Sequence, residues 1–198
     1  MRLSGTASWR VEIRDDPLVD CALWIRDAER LPVAEDPLVP GPVDLDHPPG
    51  PISASDDALG TEWLGWWYSL VAPERRLHAP VLDAEPAYET PDPLGLAPYP
   101  SLAAVVARRW PQAIRWQADR QRVRRQPDLA SAAVSQTVAA VERNAGRPVA
   151  PFSVEFLVLP VRDEVIRQVS PVRFLVPEPA MEGPGWTGWL RSLFTRLG

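Results

Sequence analysis

Between Arg108 and Arg125 the chain places seven arginines, at 108, 109, 115, 120, 122, 124 and 125, with Trp110 and Trp116 interleaved and Asp119 as the opposing acid. Guanidinium groups pair with phosphate oxygens and indole rings stack on bases, so this composition suits a nucleic-acid surface. It also suits a solvated helix face that answers acidic groups elsewhere in the fold. A second dense segment, GTEWLGWWYSL from Gly60 to Leu70, holds Trp63, Trp66, Trp67 and Tyr68. At 100° per residue Leu59, Trp63, Trp66, Trp67, Leu70 and Val71 share one broad face, the pattern of a helix laid against a core. Trp66 lies at one edge of that arc and Tyr68 beyond the other, so these two are expected to reach solvent as an aromatic rim.

Other chemistry is sparse. DLDH offers Asp44, Asp46 and His47, oxygens that a hard cation accepts, but the spacing fits no calcium loop. The chain contains no G-x-S-x-G, H-E-x-x-H, G-x-G-x-x-G or Walker A pattern. Cys21 has apolar neighbours, which describes a packed thiol better than a reactive one. We therefore assign no catalytic, cofactor-binding or metal-binding residue. The expected interaction surface comprises Arg115, Arg120, Arg122, Arg124 and Arg125, together with Trp66, Tyr68 and Trp186.

Composition bounds the function further. All 21 basic residues are arginine, so neither lysine Schiff-base chemistry nor a P-loop lysine is available. Residues 1–100 carry 7 Arg against 18 acids, net −11, and residues 101–198 carry 14 against 8, net +6. Opposite halves can attract each other within one fold or leave a basic face for an acidic partner. One cysteine precludes an intrachain disulfide, no apolar run approaches a membrane span, and the first residues lack an apolar signal core. These features predict a cytoplasmic chain.

Periodicity sets out the helices and strands that carry these groups. SWRVEIRD alternates as a strand, and DCALWIRD reads as a second strand paired with it. Ser53 or Ser55 is expected to cap the tryptophan helix, and Pro73 to end it. Pro111 and Pro127 each suit the first position of a helix, the second of these closing at Gly146. FSVEFLVLPV and EVIRQVSPVRFLVP read as an antiparallel pair turning at RDE, 162–164. Of the 24 prolines, seven fall in 31–54 and seven in 73–100, predicting long surface loops. In GWTGWLRSLFTRLG, Trp186, Trp189, Leu190, Leu193 and Leu197 share a narrow helical arc. The expectation is one α+β domain over 1–198, an antiparallel sheet with helices packed on one face, closed by an amphipathic helix at 185–197 that docks on its own domain.

WLGWWYSLV, AIRWQADRQR, FSVEFLVLPV and GWLRSLFTRL, in that order, resemble a group of uncharacterised actinobacterial proteins, and the resemblance implies no activity. We expect a non-catalytic interaction or accessory protein with a protein partner. Alternatives are a nucleic-acid-binding protein using the helix at 111–125, and a small enzyme with a carboxylate site that leaves no linear motif.

Overall fold

The structure, a computed structural model, describes residues 2–4, 9–45, 49–53, 56–72, 94–123 and 127–198. Its elements are β1 (Arg2–Ser4), β2 (Trp9–Arg14), α1 (Pro17–Glu29), α2 (Asp57–Val71), α3 (Pro100–Val123), α4 (Pro127–Ala145), β3 (Phe152–Leu159), β4 (Arg167–Ser170), β5 (Arg173–Pro177), α5 (Glu178–Glu182) and α6 (Trp186–Leu197). The chain is α+β and forms two compact units. One comprises Met1–Asp16, Pro37–Asp44 and Gln121–Gly198; the other comprises Pro17–Asp36 and Leu45–Arg120.

The first unit is built on a five-stranded sheet in the order β1-β2-β3-β5-β4. β1 and β4 are antiparallel to their neighbours, but β2 is parallel to β3 and β3 to β5. The sheet is therefore mixed, which corrects the antiparallel expectation. The cause lies at Pro171 and Val172, a tight turn that divides the second predicted strand into β4 and β5. This extra reversal returns β5 beside β3 in the same direction. Alternation along the strands puts Val11, Val154, Phe156, Phe174 and Val176 in one core with Val134, Val138 and Val141 of α4 and Trp186, Leu190, Leu193 and Phe194 of α6. The C-terminal helix thus docks on its own sheet. Gly146 follows α4 with φ +65°, the left-handed cap that glycine adopts without strain.

Trp186, expected on the interaction surface, is only 4% exposed. Its ring stacks on Trp189 at 5.2 Å and meets Phe156 edge-on at 5.6 Å, an apolar setting that water would oppose.

In the second unit, DCALWIRD lies within helix α1 and is not a strand. An apolar run of that length fits both periods; Pro17 at the first helical position and burial on nearly all sides decide for helix. α1 closes in a Schellman arrangement, with Leu31 N–H donating to Arg26 O at 3.0 Å and Arg30 N–H to Asp27 O at 3.3 Å. Arg30 occupies the left-handed position at φ 51°.

The N-cap of α2 is Asp56, whose carboxylate accepts from Ala58 N–H at 2.9 Å; Ser53 instead serves Glu29 of α1, and Ser55 lies outside the described residues. Trp63 and Trp67 are fully buried and stacked at 5.4 Å. Trp66, expected at the rim, is also 0% exposed. Its Nε1–H donates to Leu94 O at 2.7 Å, because residues 94–99 return across that side of α2. Tyr68 is half-buried and donates to the Asp36 carboxylate at 2.8–2.9 Å.

α3 is a single helix that runs through Pro111, which was expected to open a helix. Pro111 has no N–H to bond the Ala107 carbonyl, and both residues are exposed. Of the proline-rich stretches, most of 73–100 lies outside the described residues. Within 31–54, Leu31, Leu38 and Val43 are buried, and Val43 bridges Val161 in the first unit, so this part is anchored and does not simply lie on the surface.

Candidate functional site

The arginine segment separates into two populations along α3. Arg109 Nε–H donates to Glu29 at the end of α1, and Arg120 donates to Asp20 near its start at 2.7 Å. The order is reversed between the helices, so the two ion pairs clamp α3 antiparallel to α1. Both acids have fully buried side chains, and that of Arg109 is 3% exposed. The buried guanidinium also donates to Gly50 O and to Gln112 at 2.7 Å. Arg120, expected on the surface, is thus a packing residue. Glu62 helps seat the other end of α3, accepting from Leu102 N–H at 2.6 Å.

Arg108, Arg115 and Arg122 are exposed. Seven-residue spacing turns each only about 20° from the last, aligning them over about 21 Å of one flank. Asp119 shares that flank. Arg108 and Arg115 have no ion pair among the described residues. Arg124 and Arg125 lie outside the described residues, as do Asp46 and His47 of the DLDH loop. Asp44 pairs with Arg162 at 2.8 Å.

Three carboxylates are organised well enough for acid–base chemistry, and each is held ionised. Burial would push Glu29 up, but donors from Ser53, Arg109 and Ile52 more than reverse this and hold it below the ordinary glutamate range. Glu155 sits on the sheet face opposite α4 and α6, between Arg14 of β2 and Arg173 of β5, the latter at 2.8 Å. Burial again favours its neutral form, and the two guanidinium groups outweigh it. Burial alone would lower Arg14, yet its bonds to Glu155 and Asp16 raise it overall. Asp163 is likewise lowered despite burial, by Arg167 at 2.9–3.0 Å, Gly41 N–H and Val165 N–H at 3.0 Å. A depressed carboxyl is a poor proton donor near neutral pH, so these three groups act as structural anchors.

One recess in the first unit has a different character. It has a volume of about 270 Å³ and lies where the 164–166 segment meets the α5–α6 junction, lined chiefly by Glu164, Ile166, Gly183, Pro184, Trp186 and Trp189. Trp189 meets Phe174 edge-on at 5.3 Å and is half-buried. The Nε1–H of Trp186 is buried and has no acceptor among the described residues. The sequence points to Trp186 but not to Glu164, which reads as part of a polar turn, nor to Trp189, which reads as core. The three-residue spacing of the two tryptophans is the available signal. No protein-family model matches this chain, and no curated protein or solved structure is similar to it, so its chemistry rests on its own residues.

Proposed function

We propose that this is a non-catalytic cytoplasmic interaction protein that presents the outer flank of α3 to an acidic protein partner. The observation that carries the reading is the division of the arginines: Arg109 and Arg120 are spent on α1, while Arg108 and Arg115 share one exposed flank with no ion pair among the described residues. Aligned guanidinium groups on a rigid helix recognise carboxylates at low ordering cost. Asp119 interrupts the basic stripe, which a nucleic-acid surface would keep continuous. The buried thiol of Cys21 fits a reducing compartment. Among the described residues no helix is long and apolar enough to cross a membrane.

The test compares the full chain with an Arg108→Gln/Arg115→Gln variant, using poly-L-glutamate and a 20-base-pair duplex as probes. Salt-sensitive binding of polyglutamate, lost in the variant and stronger than binding of the duplex, is expected. Micromolar duplex binding with a log–log salt slope of about −1.8, as for two neutralised phosphates, would make this a nucleic-acid-binding protein instead. Unchanged binding of both probes by the variant would remove α3 as a contact surface.

A further inference from the structure

The described end of the first proline-rich stretch, residues 49–53, is fastened to the second unit from one side. Arg109 donates to Gly50 O, and Glu29 accepts from Ile52 N–H at 3.1 Å, from Ser53 N–H at 3.0 Å and from the Ser53 hydroxyl. Arg109 and Glu29 form a buried ion pair, so these anchors belong to the interior of the unit. The other side of the segment is open. Gly50 and Pro51 are exposed, a Cβ on Gly50 would meet nothing within 4 Å, and Ile52 is 48% exposed. The fold thus fixes a backbone whose apolar side chains stand in water. Pro49 and Pro51 have no N–H, and those of Ile52 and Ser53 are taken by Glu29, so only Gly50 keeps a donor without a partner among the described residues. The carbonyls of Pro49 and Pro51 likewise have no donor among the described residues. Pairing as an added strand draws on the N–H groups of alternate residues, and neither alternate set is intact here. Pro51 fixes its own φ and disfavours a helical Gly50, which leaves a short ridge of polyproline type.

We propose that residues 49–52 are a docking ridge for a partner protein that reads proline-rich segments through a groove lined by tryptophan or tyrosine. The ridge brings carbonyl acceptors and apolar surface, so its partner must bring donors and apolar surface. Aromatic side chains with a polar edge combine the two: the ring packs on Pro51 and Ile52, and an indole N–H or phenol O–H donates to the Pro49 or Pro51 carbonyl. A second copy of the same ridge would set acceptors against acceptors. Fastening by Glu29 and Arg109 orders the backbone on folding, which removes that entropy loss from the binding step. The ridge recognises its partner without charge, so the inference stands without the arginine flank of α3.

The experiment scans the full chain by interferometry against a broad panel of isolated polyproline-reading domains, SH3, WW and EVH1 modules of differing groove sequence. Saturable binding of at least one module with a Kd below about 1 mM is expected. Replacing the groove tryptophan of that module by alanine should abolish it. A Pro51→Ala/Ile52→Ser variant of the chain, altered only at exposed positions, should lose at least about tenfold in affinity while keeping a cooperative thermal melt. Ile52→Ser alone should lose several-fold. A panel in which no module binds below about 1 mM would overturn the proposal, as would binding that the double variant retains. Self-association of the full chain that Ile52→Ser abolishes would assign the ridge to a second copy and overturn it too.

Discussion

Arg108 and Arg109 are adjacent in the chain and opposite in environment. Arg108 stands in solvent, whereas Arg109 is buried against Glu29, Gly50 and Gln112. Removing one member of a buried ion pair strands the other charge, a loss of about 3–5 kcal/mol. An exposed arginine away from such contacts is worth less than about 0.5 kcal/mol. Urea melts of Arg109→Leu and Arg108→Leu should therefore differ by several kcal/mol. Equal losses would mean that the Glu29 pair is not formed. The same contrast explains why α1 and its acids, which composition alone leaves as surface charge, belong to the interior of the second unit.

Among the helices, two backbone positions oppose each other in their expected response. Arg30 ends α1 in the left-handed region, where a side chain costs roughly 1 kcal/mol that glycine avoids. Gly60 lies within α2, and a Cβ there would collide with the Pro32 carbonyl. Alanine favours helices over glycine by about 1 kcal/mol, but a contact that close forces backbone to move, at about 1–3 kcal/mol. Arg30→Gly should raise the melting temperature and Gly60→Ala should lower it. A Gly60→Ala variant that melts above the parent would show that the 32–33 segment is not held against α2. The seating of α6 follows from the same packing logic: its apolar arc covers the apolar face of β2, β3 and β5.

Over the chain as a whole, some of the opposed charges of the two halves of the sequence pair within the units. Asp20 and Glu29 find Arg120 and Arg109, Asp44 finds Arg162, and Arg14 finds Glu155. This makes stability sensitive to acid. Glu29, Glu155 and Asp163 ionise more readily in the folded chain than in the unfolded one. The unfolded state then binds more protons once pH falls into the ordinary carboxylate range, about 4 to 4.5. The contribution is fully present above about pH 6 and is lost progressively as pH drops through that range toward the lower folded values. Urea midpoints measured from pH 7 to pH 3 should stay level at first and then fall. A midpoint that rose between pH 5 and pH 3 would contradict the depressed carboxyls.

The features legible in the residues alone are local and periodic. The period-two alternation of β2 and β3, the broad arc of α2, the Gly146 stop of α4 and the apolar stripe of α6 are all visible because each is set by residues a turn or a pleat apart. Packing settled everything that depends on what lies across the gap. The five-residue apolar run at 21–25 suits strand and helix alike, and burial on nearly all sides made it part of α1. The direction of β5 depended on a second reversal at Pro171, which no pairwise pattern encodes. Trp66 was hidden by residues 94–99, which read in sequence as loop. The recess joins Glu164 to Trp186 and Trp189 across a strand hairpin, and the arginines sort into clamp and surface according to which face of α3 meets α1. Periodicity records which side of an element is apolar; only the fold records what that side touches.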